Sequence, residues 1–130
     1  MAKKTRIDYT VDRGEVWERL IVPKDRRTHR RRVPTEVDAS IKVGDTVYVL
    51  PARVTSEGAV LLEMTSNNTE WLADGEYLWD MVVTISRSAL LTSTPLSEVM
   101  IVHGTITVQT YDNLTPMDSD GQPTALVARA

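Results

Sequence analysis

The stretch from Gly75 to Ile85, Gly-Glu-Tyr-Leu-Trp-Asp-Met-Val-Val-Thr-Ile, limits the possible folds more than any other part of the chain. Tyr77, Trp79, Met81, Val83 and Ile85 recur at every second position, and Glu76, Asp80 and Thr84 fall between them. Successive side chains of a strand point to opposite faces, so this order makes one dry face and one mostly wet one. A helix would scatter the same five apolar residues around its axis. The stretch therefore predicts a long strand with a core on one side, and the other segments read as sheet packed against its dry face.

The neighbouring segments carry the same signal in shorter pieces. Ile7, Tyr9 and Val11 alternate with Arg6, Asp8 and Thr10, and Asp12-Arg13-Gly14 forms a turn. Glu15 to Val22 is a second strand whose inward parity is open, with Trp17 and Ile21 on one face and Val16, Leu20 and Val22 on the other. Pro23 ends it. Val33-Pro34 resumes extended chain, and Gly44-Asp45 is a turn. Thr46 to Thr55 is a strand in which Pro51 calls for an edge position or a break. Glu57-Gly58 is a hairpin turn leading into a strand from Ala59 to Thr65. Ser66 to Asp74 suits a short helix capped by Asn67 or Asn68, with Trp71 and Leu72 packing it onto the sheet. After a Ser/Thr-rich connection over 87–97, Glu98 to Thr110 is the last strong strand, and Gly104 marks a bulge or a close approach.

Segments at this spacing predict about seven strands, arranged as an immunoglobulin-like antiparallel β-sandwich with one short helical turn. The 130 residues suit one domain with a real core. Residues 1–110 are read as that domain. Residues 111–130 are read as a polar C-terminal extension, docked on a neighbour or disordered when free. Phenylalanine is absent, so Trp17, Trp71, Trp79, Tyr9, Tyr48 and Tyr77 must supply the aromatic part of the core.

No constellation for chemistry stands out. The chain has no cysteine, which removes disulfides and thiolate metal sites. His29 and His103 have no ligand or triad partner at a recognisable spacing. Asp118-Ser119-Asp120-Gly121 resembles the start of a calcium loop, but Arg129 stands where the closing glutamate belongs. There is no Gly-rich phosphate loop, nucleophile elbow or zinc helix. Asn67-Asn68-Thr69 and Asn113-Leu114-Thr115 match the glycosylation pattern, but the basic start of the chain has no apolar stretch behind it to act as a secretion signal. No apolar run approaches the roughly 18–20 residues of a membrane span. A non-enzymatic chain without cofactor or metal, used in solution without secretion, is the expectation.

Charge is the remaining signal. Residues 1–32 hold eleven Lys or Arg against five Asp or Glu, and residues 33–130 hold four against thirteen. The cations concentrate in Lys24, Arg26, Arg27, Arg30, Arg31 and Arg32, a block that buries nothing by itself. Nucleic acid is the weaker reading of this block, because it has no interleaved aromatics to stack bases and no basic helix to enter a groove. Arginines pair well with carboxylates, and the rest of the chain is acidic, so protein contact is favoured over an unpaired solvated loop, with other copies of the chain among the candidate partners. Leu126 and Val127, in an apolar patch near the C-terminus, are the other candidate contact residues, expected to enter a groove on a neighbour.

Three motifs in order also resemble a known family. They are Gly14-Glu15-Val16-Trp17, Gly75-Glu76-Tyr77-Leu78-Trp79-Asp80-Met81, and Gly104-Thr105-Ile106-Thr107-Val108. The set resembles the small β-sandwich domain of tailed-phage virion proteins, and is similar to the N-terminal domain of siphophage baseplate upper proteins and to small sandwich proteins of actinobacterial phages. Gly14, Glu15 and Trp17 stand where that family carries Gly-Asp-x-Phe, and the other two motifs fall on its central and last strands. The resemblance spans residues 7–110. The basic block, the connection 87–97 and the tail 111–130 depart from the pattern and are the parts expected to be tailored to one particle. What the resemblance implies is a structural role in the virion, as a capsid accessory or decoration protein bound to the major capsid protein shell. A tail or baseplate adaptor of the same fold is the alternative it leaves open, and a nucleic-acid module using residues 24–32 is a more distant one.

Overall fold

The computed structural model describes residues 3–24, 33–87, 96–110 and 125–129. Its strands are β1 (Lys3–Arg6), β2 (Tyr9–Asp12), β3 (Trp17–Ile21), β4 (Val33–Val43), β5 (Thr46–Val49), β6 (Ala52–Val54), β7 (Val60–Met64), β8 (Gly75–Arg87) and β9 (Leu96–Gln109). One helix, α1 (Ser66–Trp71), lies between β7 and β8. Two sheets pack face to face. The larger runs β1-β9-β8-β4-β5, with β2 also on β9, and the smaller runs β3-β7-β6.

The alternating stretch is the spine of the larger sheet. β8 pairs antiparallel with β4 on one side and with β9 on the other. Trp79, Met81, Val83 and Ile85 are buried, and Tyr77 is half-buried against the same core. Across from them, Trp17, Val60, Leu62 and Met64 bring the inner face of the smaller sheet. Tyr9 stands between two indoles, 5.3 Å from Trp17 in an edge-on contact and 5.5 Å from Trp79. Trp17 being buried resolves the parity of its strand, since Val16 and Leu20 face outward.

The β-sandwich is as expected, with four differences in detail. Nine strands replace about seven. The extended chain from Val33-Pro34 is β4, whose inward Val37, Ala39, Ile41 and Val43 alternate with polar residues behind Pro34 and a register irregularity at Pro34/Glu36. The two added strands arise by division. Pro51 separates β5 from β6 at a corner between the sheets, and the first predicted strand is two, β1 and β2. Second, the sheet is mixed rather than wholly antiparallel: β1 and β2 both run parallel to β9. Alternation identifies a strand but not the direction of its partner. Third, the helix is shorter than predicted, and Thr65, not Asn67 or Asn68, caps it. The Thr65 hydroxyl accepts from the Asn68 backbone N–H at 3.2 Å, and the Asn68 side chain accepts from the Thr65 N–H at 3.3 Å.

The fourth difference concerns the C-terminus. Residues 125–129 lie on the chain's own sandwich. The Val49 N–H donates to the Val127 carbonyl at 2.8 Å, and the Arg129 N–H donates to the Val47 carbonyl at 3.0 Å. The segment therefore extends the larger sheet beyond β5, and Leu126 joins the core.

Candidate functional site

Of the residues expected to make contacts, the structure brings none together into one site. Lys24 is exposed just after β3. Arg26, Arg27, Arg30, Arg31 and Arg32 lie outside the described residues. Leu126 is 5% exposed, so its expected role in a neighbour's groove is corrected: it fills the core of its own chain. A leucine buries in whichever apolar site is within reach, and the strand hydrogen bonds on either side of Leu126 place it in this one. Val127 remains on the surface, 72% exposed.

Sequence reasoning missed the residue that fixes this segment. Arg129 lies against β4, with Nε donating to the Ser40 hydroxyl at 2.7 Å and Nη2 to the Ala39 carbonyl at 2.7 Å. Nη2 also meets the Asp38 carboxylate. The planar guanidinium serves three acceptors at once, which an ammonium could not do with the same geometry. Its place at the failed calcium-loop position was the one property the sequence drew attention to, and it gave no hint of this role.

At the opposite edge of the larger sheet the chain steps from β1 to β2 at Ile7 and Asp8. Trp79 Nε1 donates to the Ile7 carbonyl at 3.0 Å, and the Ile7 N–H donates to the His103 carbonyl at 2.9 Å. Gly104 lies directly beneath. A Cβ there would sit 1.9 Å from the Ile7 oxygen, so this is a close approach that only glycine allows. The Thr105 N–H donates to the Asp8 carboxylate at 2.9 Å, and Arg6 Nε lies 3.3 Å from it. The backbone donor first, and then the guanidinium, hold the Asp8 carboxyl below its ordinary value of 3.8.

The smaller sheet is tied to α1 through the turn before β3. Thr69 is buried, and its hydroxyl donates to the Glu15 carbonyl at 2.7 Å and accepts from the Gly14 N–H at 3.1 Å. Arg13 donates to the Glu70 carbonyl through Nε at 3.1 Å and Nη2 at 2.8 Å. Gly14 holds φ 86°, a left-handed turn that favours glycine. All three family-like motifs thus meet structural demands, at Gly14, at Gly75 with φ 149° and at Gly104.

The outward face of the larger sheet carries exposed apolar groups that the chain's own packing does not use. Leu78, Val82 and Val99 are 63%, 40% and 40% exposed there. Beside them a shallow depression of about 360 Å³ is lined by Ser40, Lys42, Val47, Leu78, Asp80 and His103. A second, of about 430 Å³, lies between Leu126, Val127 and the start of α1. The chemistry of both is apolar contact with a polar rim. Among the described residues no three His, Asp or Glu side chains converge as metal ligands, and no helix is long and apolar enough to cross a membrane. Comparison with family models, with curated proteins and with solved structures found no match to this chain.

Proposed function

We propose that this chain is a non-enzymatic structural protein of a tailed-phage virion, a capsid accessory or decoration protein that binds the surface of the major capsid protein shell. One observation carries the reading of a contact protein. The sandwich packs its own core and leaves Val82 and Val99 side by side, with Leu78 beyond Asp80, exposed on the outer face of its larger sheet. Exposed apolar groups with a polar rim are the chemistry of protein contact. The virion part of the proposal rests on the resemblance carried by Gly14 to Trp17, Gly75 to Met81 and Gly104 to Val108.

In this reading the rigid sandwich presents the basic block to carboxylates on the shell. Multivalent seating on a repeating lattice makes weak single contacts sufficient. The test is quantitative protein analysis of purified particles together with binding to empty capsids. A copy number comparable to that of the major capsid protein supports decoration. A handful of copies per particle moves the chain to a tail or baseplate ring, and its absence from particles ends the virion reading. Replacing Arg26, Arg27, Arg30, Arg31 and Arg32 with glutamine should weaken capsid binding and flatten its salt dependence. Undiminished binding would remove those arginines from the mechanism. Retention on non-specific DNA at low salt, lost with the same replacements, would favour the nucleic-acid reading instead.

A further inference from the structure

The outward side chains of the larger sheet fall into rows that cross it from strand to strand. One row reads Lys4, Ile101, Val82, Asp38, passing from β1 through β9 and β8 to β4. It starts with a cation, ends with an anion, and is apolar between them. The next row along reads Arg6, His103, Asp80, Ser40. A row of this kind is complementary to its own reverse. Consider a two-fold axis lying parallel to the strands, above the midpoint between Ile101 and Val82. It sets Lys4 of one copy against Asp38 of the other, and Ile101 against Val82. In the next row it sets His103 against Asp80, and Arg6 against Ser40, whose hydroxyl accepts from Arg129.

We propose that a second copy of this chain packs on this face, sheet against sheet, as an isologous dimer. The two-fold arrangement needs a surface patch that complements itself, and the order of charges in the row meets that need. Aligned sheets pack about 10 Å apart with interleaved side chains, the distance at which Val82, Ile101 and the neighbouring Val99 would be covered. About ten residues at about 3.4 Å along four strands at about 4.8 Å give roughly 650 Å² per copy, enough for a specific but reversible interface. Asp38 is available despite its contact with Arg129, because its side chain is 71% exposed. The proposal takes up the face that carries the contact reading above and names a second copy as its occupant; it needs no virion, so the oligomeric state tests it separately from particle analysis.

The test is sedimentation equilibrium of the full chain across the micromolar range. Wild type is expected to be a dimer that loosens with salt. Val82→Asp, on an outward position, should weaken association by at least about tenfold without changing the circular dichroism spectrum. Lys4→Glu alone and Asp38→Lys alone should each fail to self-associate, because like charges then face each other. An equimolar mixture of the two should form a heterodimer, since both facing pairs again carry opposite signs. Should Asp38→Lys disturb the fold through Arg129, Val82→Asp and Lys4→Glu still decide the matter. A wild-type chain that stays monomeric overturns the proposal, as does a dimer indifferent to Val82→Asp. A monomer that binds capsids through this face would assign the surface to the shell instead.

Discussion

The two edges of the larger sheet are closed in different ways. At one edge, β1 and β2 are held by a backbone step pressed onto Gly104, with the Trp79 indole bonded to the Ile7 carbonyl. At the other, residues 125–129 are laid along β5 and clasped by a single arginine whose side chain is 30% exposed. The first closure depends on backbone approach in a packed interior, where nothing can give. The second combines one buried leucine with surface polar contacts that water can partly replace. Each adds an outermost segment to the sheet, and the two should differ in how sharply they fail.

The most severe break is expected from Gly104→Ala. The new methyl would meet the Ile7 carbonyl oxygen at 1.9 Å and its carbon at 2.7 Å, both backbone atoms. A loss of about 3 kcal/mol or more is expected in urea unfolding, with altered Trp79 fluorescence as the local sign. Leu126→Ala comes next, at about 2–3 kcal/mol in the same measurement, because it empties a core position that neighbours can partly fill. Arg129→Ala should cost about 1–2 kcal/mol and, in hydrogen exchange, speed the backbone amides of Val49 and of position 129 far more than those of β9.

The mildest effect is one of pH and belongs to the first edge. Thr105 and Arg6 lower the Asp8 pKa in the folded state. A carboxylate with a depressed folded pKa contributes stability above its unfolded value, and that contribution is lost as pH falls through the folded pKa. It is therefore intact near neutrality and disappears below the ordinary value of 3.8. Asp8→Asn should reduce stability slightly at neutral pH and remove this part of the acid dependence. An unchanged acid profile would show that Asp8 adds nothing to closing that edge.

How much of this was legible follows the physics of each element. Alternation over Gly75–Ile85 identified β8 and its buried face because burial alone dictates that pattern. Pro51 and Gly58 gave the break and the turn for local backbone reasons. Only the start of β4, at Val33-Pro34, was legible, because Ala39 is small and four of its outward positions carry charge or hydroxyl groups, so its inward alternation looked weak. The Thr65 cap is a local capping box with Asn68, whereas the parallel partners of β9 and the Arg129 clasp depend on residues brought together from distant parts of the chain. No local pattern encodes such a meeting. The same holds for the rows on the outer face, where Lys4, Ile101, Val82 and Asp38 become a unit only once the strand register is known.

The parallel pairing of β1 and β2 with β9 also sets the timing of folding. Asp8 and Thr105, which bond across that ladder, are 97 residues apart in sequence. On a ribosome adding about 5–20 residues per second, the first two strands wait roughly 5–20 seconds for the strand that completes them. Non-local closure of this kind is intrinsically slow. β1 and β2, which precede β9 in the chain, are thus completed only when it arrives.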